Sequence, residues 1–245
     1  MSLTRILSPF IFPYTHVKSI KGKIVKFRIH NSTESFRIKK WGGEKEYVLN
    51  ILNHLKDDDT LYDIGASVGL ISVTAASLLT KGKVVSFEPD PEIASRLEAN
   101  FKLNNLSNYI IKQIAVGEEK SVLQLYTEGI DSFSPSLKPV NKITRHIEVP
   151  VNSIDNLLSD NEIPPPTSVK IDIEGAEMLA LKGMSKLLSS EVKPKNLFIE
   201  IHPDFLNDFN TSVTEIFRFL LDHNYHITNL MQRDRQIICD LSIPD

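Results

Sequence analysis

One nine-residue stretch constrains the fold of this chain more than any other part of it. Residues 61–69 read LYDIGASVG, an apolar run that carries an acid, Asp63, followed by two glycines, Gly65 and Gly69. A long apolar segment, residues 70–79, comes directly afterwards. This order is typical of a β-strand that turns tightly into a buried helix, with glycine where a ligand approaches the backbone. The stretch therefore predicts an α/β fold with a nucleotide-like cofactor at the turn.

The rest of the chain continues this alternation of strands and helices. Short apolar runs predict strands, and amphipathic segments between several of them predict helices. Such alternation is typical of a parallel sheet that is covered by helices on both faces. A final hairpin is expected to close the sheet. The predicted core strands are residues 61–64, 84–87, 110–116, 169–173 and 196–201, and the hairpin is residues 225–230 with 236–239.

The N-terminal part of the chain has a different character. Residues 17–40 are predicted to be extended, with a turn at Gly22, and residues 44–55 form an amphipathic helix. Between residues 16 and 40 there are eight lysines and arginines but one acid, Glu34. This basic segment is either a solvated face or a patch that recruits an anionic substrate. We divide the chain into an N-terminal arm, hairpin and helix, residues 1–55, expected to cover the active site, and a cofactor-binding domain, residues 56–245.

Composition excludes several classes of protein. A single cysteine, Cys239, rules out an internal disulfide framework and a cysteine-rich zinc site. No window approaches the roughly 20 apolar residues of a membrane helix. The net charge of −3 provides no general attraction to nucleic acid. We therefore expect a cytoplasmic protein that acts on neither nucleic acid nor membrane, and its oligomeric state is left open.

The glycine spacing distinguishes two classes of cofactor. Dinucleotide enzymes use Gly-x-Gly-x-x-Gly, but here Ser67 stands at the middle glycine, and Asp63 would repel a phosphate. S-adenosylmethionine instead offers an ammonium, a sulfonium and a ribose diol. Asp63 could lie near its amino acid end, and Glu88, which ends the next strand, could accept both ribose hydroxyls. We favour S-adenosylmethionine, with a nicotinamide-dependent oxidoreductase and a non-catalytic binding fold as alternatives.

Two pairs of polar residues mark the reaction end of the predicted sheet. Asp172 and Glu174 follow one strand, and Glu200 and His202 follow the next. Residues two apart point to the same side, and ligands of parallel sheets bind at the carboxyl ends of the strands. Methyl transfer to a hydroxyl needs an aligned acceptor and a group that takes its proton, for which His202 is a candidate. The same groups could bind a divalent metal, but we favour a reaction without one.

Five segments of the chain resemble, in order, the motifs of the FkbM-type methyltransferases. The resemblance spans about residues 61–230. It is carried by residues 62–69 (YDIGASVG), 87–89 (FEP), 149–155 (VPVNSID), 170–177 (KIDIEGAE) with Gly183, and 198–203 (FIEIHP).

This resemblance implies a seven-stranded, mostly parallel, doubly wound Rossmann-like methyltransferase sheet with an N-terminal hairpin and helix. It also implies O-methylation of a hydroxyl on a small-molecule or glycan-like acceptor, and the basic segment favours an anionic one. The predicted catalytic residues are Asp172, Glu174, Glu200 and His202. The predicted cofactor contacts are Asp63, Gly65, Ala66, Ser67, Gly69, Glu88, Pro89, Ala115 and Asp172.

Overall fold

The computed structural model describes residues 12–127 and 145–244. Its strands are β1 (Tyr14–Ile20), β2 (Lys23–Ile29), β3 (Thr60–Ile64), β4 (Lys83–Phe87), β5 (Tyr109–Lys112), β6 (Ala115–Val116), β7 (Ser121–Thr127), β8 (Arg145–Asn152), β9 (Ser168–Asp172), β10 (Asn196–Ile201), β11 (His226–Arg233) and β12 (Gln236–Ser242). Its α-helices are α1 (Ser32–Lys40), α2 (Lys45–His54), α3 (Leu70–Leu78), α4 (Pro91–Leu103), α5 (Ile154–Ser159), α6 (Glu177–Lys182), α7 (Ser185–Leu188), α8 (Pro203–Leu206) and α9 (Val213–Asp222).

A seven-stranded sheet in the order β11-β12-β10-β9-β3-β4-β5 forms the centre of the molecule. The five strands β10, β9, β3, β4 and β5 are parallel. In the closing hairpin, β12 is antiparallel to both β10 and β11. The predicted seven-stranded, mostly parallel sheet is therefore confirmed. Because β3, β4, β9 and β10 are parallel neighbours, their carboxyl ends meet at one edge of the sheet.

Apolar side chains cover both faces of this sheet. Along β3, Tyr62 and Ile64 join one buried cluster, whereas Leu61 joins the other. Successive residues of a strand point to opposite faces, so a strand buried on both sides is a continuous apolar run. This is the doubly wound arrangement that the apolar runs predict.

The N-terminal segment differs from the sequence-based expectation. Residues 17–29 are extended as predicted, but Ser32–Lys40 is the helix α1 rather than a continuation of the hairpin. The side chain of Asn31 caps this helix by accepting a hydrogen bond from the backbone N–H of Glu34 at 2.8 Å. The basic residues of its last turn, which suggested a charged strand, suit the C-terminal end of a helix dipole.

The predicted strand over residues 110–116 is also wrong in its extent. The central sheet keeps only Tyr109–Lys112, and Ala115–Val116 pairs instead with β8. With β7 these two strands form a separate three-stranded sheet beside the cavity described below. Ala115, which the predicted strand over residues 110–116 assigned to the central sheet, therefore belongs to this smaller sheet. Among the described residues, no helix is both long and apolar enough to cross a membrane.

The N-terminal hairpin and helix share a hydrophobic core with the rest of the chain. Phe27 of β2 and Ile51 of α2 belong to the same buried cluster as Val73 of α3. Asn100 of α4 also accepts a hydrogen bond from the backbone N–H of Arg28 at 2.7 Å. The boundary at residue 55 stays a prediction, and this cluster of side chains extends across it.

Candidate active site

A cavity of about 610 Å³ opens at the carboxyl edge of the central sheet. This volume is typical of a small-molecule site. Twelve residues were proposed from the sequence for catalysis or cofactor binding, and one of them, Gly69, is absent from the cavity wall. The proposed residues that line it are Asp63, Gly65, Ala66, Ser67, Glu88, Pro89, Ala115, Asp172, Glu174, Glu200 and His202.

The two glycines of the first turn have different physical roles. Gly65 has a φ of +82°, and a Cβ built on it would lie 2.0 Å from the carbonyl oxygen of Asp172. A Cβ on Gly69 would instead meet the side chains of Leu97 at 2.4 Å and Val73 at 2.8 Å. Gly65 thus brings the cofactor turn against β9, whereas Gly69 allows α3 and α4 to pack. Helix packing accounts for Gly69, and its predicted cofactor contact stays a prediction.

Glu88 joins the cofactor turn to the end of β4. Its Oε2 accepts a hydrogen bond from the backbone N–H of Ser67 at 2.9 Å, and its Oε1 accepts one from Asp90 at 3.0 Å. The side chain is buried although it lines the cavity. Burial raises the pKa of Glu88 to about 7 despite these two hydrogen bonds. The carboxyl group is therefore fixed in place and poised between its two protonation states.

Asp63 and Lys170 form a buried ion pair beneath the turn. Lys170 Nζ lies 3.1 Å from Asp63 Oδ1, and Ser72 donates a hydrogen bond to Asp63 Oδ2 at 2.5 Å. Lys170 also donates to the backbone carbonyl of Gly65 at 2.8 Å. Its Nζ is 3.4 Å from Asp172 Oδ2 as well. One ammonium group therefore connects the cofactor turn with the reaction end of the site.

Three of the predicted catalytic side chains meet at the ends of two neighbouring strands. β9 and β10 are parallel, and Asp172 is the register partner of Glu200. His202 follows β10, and its Nε2 lies 3.8 Å from both Asp172 Oδ1 and Glu200 Oε1. Glu174 lines the same cavity but is not part of this close cluster. Three of the four predicted catalytic side chains therefore lie together at the carboxyl ends of β9 and β10, and their catalytic roles stay a prediction.

Glu177 fixes the orientation of the His202 imidazole. Its Oε1 is 2.7 Å from His202 Nδ1 and also accepts the backbone N–H of His202 at 3.1 Å. Burial opposes the charge of the imidazole, but Glu177, Asp172 and Glu174 together raise the pKa of His202 to about 9. At neutral pH the imidazole of His202 is therefore positively charged. It can act as a base only after it has lost one of its two ring protons.

Glu200 lies between two opposing electrostatic influences. Burial, reinforced by the charges of Asp172 and Glu44, raises its pKa to about 8, although Arg233 counteracts this shift. Arg233 contacts Glu200 Oε1 through Nη2 and Glu44 Oε1 through Nη1, both at 2.7 Å. Asp172 is different, because Lys170 and His202 outweigh burial and hold its pKa below the usual value. The side chain of Asp172 is one third exposed, which leaves its carboxylate accessible from the cavity.

The cavity also contains residues that the sequence did not single out. Lys170 had a usable signal, since it lies two positions before Asp172 and hence on the same side of β9. Arg37, Glu44 and Arg233 line the cavity from α1, the turn before α2 and the closing hairpin. Arg37 donates a hydrogen bond to Ser67 Oγ at 2.5 Å. Sequence spacing could not show this, because positions 37 and 67 belong to different elements.

The lining is chemically suited to a cationic ligand such as S-adenosylmethionine. It contains more carboxyl groups than basic side chains, and a buried carboxyl, Glu88, stands where a ribose diol could be held. Gly65, Ala66 and Ser67 of the cofactor turn line the same space. Whether each predicted cofactor contact is made stays a prediction.

Two solved structures that share this fold are methyltransferases. An rRNA methylase from Streptococcus thermophilus superposes with a TM-score of 0.50 at 12% identity, covering 83% of this chain and 95% of that one. A magnesium protoporphyrin IX methyltransferase from Synechocystis, solved with bound S-adenosylmethionine, gives a TM-score of 0.50 at 11% identity, covering 87% and 85%. At these identities the likeness shows the fold alone.

Sequence comparison identifies the activity. The chain is 29% identical over 191 residues to the hexuronic acid methyltransferase AglP of Haloferax volcanii, a match that covers 76% of this chain and 74% of that protein. The methyl-donor interpretation of the first turn is thereby confirmed, and the chain is an S-adenosylmethionine-dependent methyltransferase rather than a dinucleotide enzyme. The methyltransferase FkbM domain model matches residues 63–227, well over half of the sequence, and the chain therefore belongs to the FkbM methyltransferase family.

Proposed function

We propose that this enzyme methylates a hydroxyl oxygen of a glycan-like acceptor, with the reaction taking place between the cofactor turn and the Asp172–Glu200–His202 cluster. One observation carries this proposal. The backbone of Gly65 directly abuts the carbonyl of Asp172, so that the cofactor turn and the polar cluster are adjacent walls of one cavity. A methyl donor held at the turn would present its reactive group to that cluster.

The chain's own residues would divide the work as follows. S-adenosylmethionine supplies a methyl group on a sulfonium, which passes to the acceptor oxygen while the electrons of the broken S–C bond return to sulfur. Glu88 would accept the ribose hydroxyls, and Lys170 would hold the turn through the Gly65 carbonyl. Asp172, the partly exposed member of the cluster, would align the acceptor hydroxyl. The proton of that hydroxyl would pass to Asp172, or to His202 once its Nε2 is unprotonated.

A carboxylate-bearing acceptor would be bound by a basic residue of the cavity and not by the basic segment as a whole. Two lysines of that segment serve the fold, since Lys18 donates to the backbone carbonyl of Ile38 and Lys21 to that of Leu52, each at 2.7 Å. Arg37, in contrast, lines the cavity beside the cofactor turn. A relative of this chain is named for a hexuronic acid. We therefore propose an acidic sugar as the acceptor, with residues 1–55 covering it.

Calorimetric titration with S-adenosylmethionine tests the cofactor site directly. We expect the wild-type protein to bind it and the Glu88→Ala variant to bind it much more weakly. A panel of uronic acid-containing and neutral glycans then tests the acceptor, with methyl incorporation as the measurement. Failure of the wild-type protein to bind the cofactor would overturn the proposed site, and methylation confined to neutral glycans would overturn the acidic acceptor.

A further inference from the structure

The Asp172–Glu200–His202 cluster has the spacing of ligands around one metal ion. His202 Nε2 is 3.8 Å from Asp172 Oδ1 and from Glu200 Oε1, and the three residues offer ligand atoms within 4.8 Å of one another. Nitrogen and oxygen ligands lie about 2.0–2.2 Å from a bound transition metal, so two of them stand up to about 4.4 Å apart. The two separations of 3.8 Å fall within that limit, and the 4.8 Å that bounds the whole set lies slightly above it, so a small side-chain rotation would close the cluster around one ion.

Each carboxylate keeps one oxygen away from its basic partner. Arg233 pairs with Glu200 Oε1, whereas Glu200 Oε2 is buried and has no hydrogen-bond partner among the described residues. Lys170 pairs with Asp172 Oδ2, whereas Oδ1 faces His202. A buried carboxylate oxygen without a partner is costly. A cation bound by Glu200 through Oε2, with Oε1 kept by Arg233, would remove that cost.

Glu177 provides the support that a metal-binding histidine requires. It is fully buried, and it binds His202 Nδ1 at 2.7 Å, which turns Nε2 towards the two carboxylates. Histidine ligands of metals usually donate their second ring N–H to such a carboxylate, which fixes the tautomer and the ring orientation. The cluster thus has both the three ligands and the outer partner of a metal site.

The lining of the cavity is richer in acidic than in basic side chains, seven against three when His202 is not counted. Three of the seven, Glu44, Asp172 and Glu200, are linked to the cluster through Arg233 and the register of β9 and β10. The acidic lining residues are Glu44, Asp63, Glu88, Asp172, Glu174, Glu200 and Asp234, and the basic ones are Arg37, Lys170 and Arg233.

We propose that Asp172, Glu200 and His202 bind one divalent cation of the Mn²⁺ type at the acceptor end of the cavity. Mn²⁺ accepts two carboxylates and one imidazole as ligands, whereas Mg²⁺ prefers oxygen ligands alone. Fe²⁺ and Zn²⁺ accept the same set, and Mn²⁺ is the member of this group whose binding a spin signal reports directly. This departs from the metal-free reaction favoured by the sequence. If the proposed function holds, the cation would bind the acceptor hydroxyl and lower its pKa, so that its proton can leave to water.

Mn²⁺ binding can be measured without cofactor or acceptor. The full-length protein, freed of metal with a chelator, is titrated with Mn²⁺ while the electron paramagnetic resonance signal of free Mn²⁺ is recorded. We expect one Mn²⁺ per chain. Glu200→Gln and His202→Gln should each weaken binding at least tenfold, and Glu177→Gln should weaken it roughly 10- to 100-fold.

Asp234→Asn is the matched control, because Asp234 is an exposed acid on the same cavity lining but outside the cluster. It should bind Mn²⁺ like the wild type. Should the cluster variants fail to fold, electron spin-echo modulation of the wild-type Mn²⁺ complex still tests the site, because an imidazole ligand gives a nitrogen coupling.

No saturable binding, binding that survives in both Glu200→Gln and His202→Gln, or no nitrogen coupling would each overturn the cation site. S-adenosylmethionine binding in the presence of chelator is measured separately. Its absence would count against the proposed function without deciding the cation site.

Discussion

Single residues in this enzyme are constrained mainly by how closely chain segments approach one another. Gly65 shows this most directly, because its missing side chain lets the cofactor turn touch the end of β9. Glu88 is an electrostatic example, because burial at a strand end disfavours the charged form of its carboxyl group and raises its pKa. Both residues can be tested by substitution. The comparison is Gly22→Ala for Gly65 and the pH dependence of the wild type for Glu88.

Gly65→Ala should destabilise the protein far more than Gly22→Ala. Both glycines have positive φ, +82° and +77°, so each alanine costs about 1–2 kcal/mol for the left-handed backbone. Only at Gly65 does the added Cβ collide, 2.0 Å from the Asp172 carbonyl oxygen, whereas Gly22 has nothing within 4 Å. We expect a loss above about 3 kcal/mol for Gly65→Ala, measured by urea unfolding. Equal losses in the two variants would contradict the close approach.

Binding of S-adenosylmethionine should strengthen as pH rises from 6 to 8. Glu88 has a pKa of about 7, raised by burial and by Asp90 and lowered by its hydrogen bonds and Arg37. If the carboxylate accepts the ribose hydroxyls, protonation below pH 7 removes that acceptor. The affinity should fall roughly tenfold between pH 8 and pH 6, which calorimetry at several pH values measures. Glu88→Gln should bind weakly and lose most of this dependence, and a variant with the wild-type pH profile would exclude Glu88 as its source.

The same group affects folding in the opposite direction. A carboxyl whose pKa is raised on folding binds more protons in the folded state than in the unfolded state. Its contribution to the stability of the ligand-free enzyme is therefore lost as pH rises from about 4.5 to about 7.

At the scale of elements, the closing hairpin connects the N-terminal extension to the catalytic end of the sheet. Arg233, at the end of β11, contacts Glu44 before α2 and Glu200 on β10. Arg233 makes its ion pair with Glu44 only when the hairpin and the extension are packed together. The hairpin itself was predictable from its strand pattern, whereas the partner of Arg233 was not, because Glu44 is separated from it by nearly the whole chain.

Arg233→Gln should reduce stability by about 1–3 kcal/mol, because it leaves buried Glu200 and half-buried Glu44 without their cation. Arg235→Gln is the comparison in the same turn. Arg235 is 82% exposed and pairs with Asp204 at the surface, so its loss should cost less than about 0.5 kcal/mol. Thermal and urea unfolding of both variants measure the difference. Equal losses of stability in the two variants would show that the buried ion pairs of Arg233 contribute no more than an exposed ion pair.

At the scale of the whole molecule, one hydrophobic cluster includes residues on both sides of the boundary at residue 55. It joins Phe27 and Ile51 of the extension to Val73 and Leu97 of the cofactor-binding part. Two parts that share a core in this way should unfold together, because separating them exposes apolar surface on each.

The extension should therefore unfold in the same transition as the sheet. Trp41 is the only tryptophan and lies in the extension, so its fluorescence reports when that part unfolds. Far-UV circular dichroism reports mainly on the larger part. We expect the two urea midpoints to coincide. A tryptophan transition at clearly lower urea would mean that residues 1–55 form a separable unit.

The sequence by itself determined the features that depend on local spacing. The apolar runs predicted the strands, and the turn at residues 61–69 identified the cofactor class, because glycine positions and a nearby acid act within one strand–turn–helix unit. Local reasoning failed where a neighbouring element competes. Residues 32–40, predicted to be extended, form a helix that the Asn31 side chain caps. Ala115, predicted to lie in the central sheet, pairs with β8 instead.

Only the tertiary structure decided the electrical state and connections of the site. Lys170 joins Asp63, Gly65 and Asp172, and Glu177 orients His202, through contacts between groups that the sequence spaces up to 107 positions apart. A pKa or an ion pair depends on distance and burial, neither of which a linear pattern contains. The nine-residue turn therefore specified which cofactor to expect, and the fold supplied the charged groups around it.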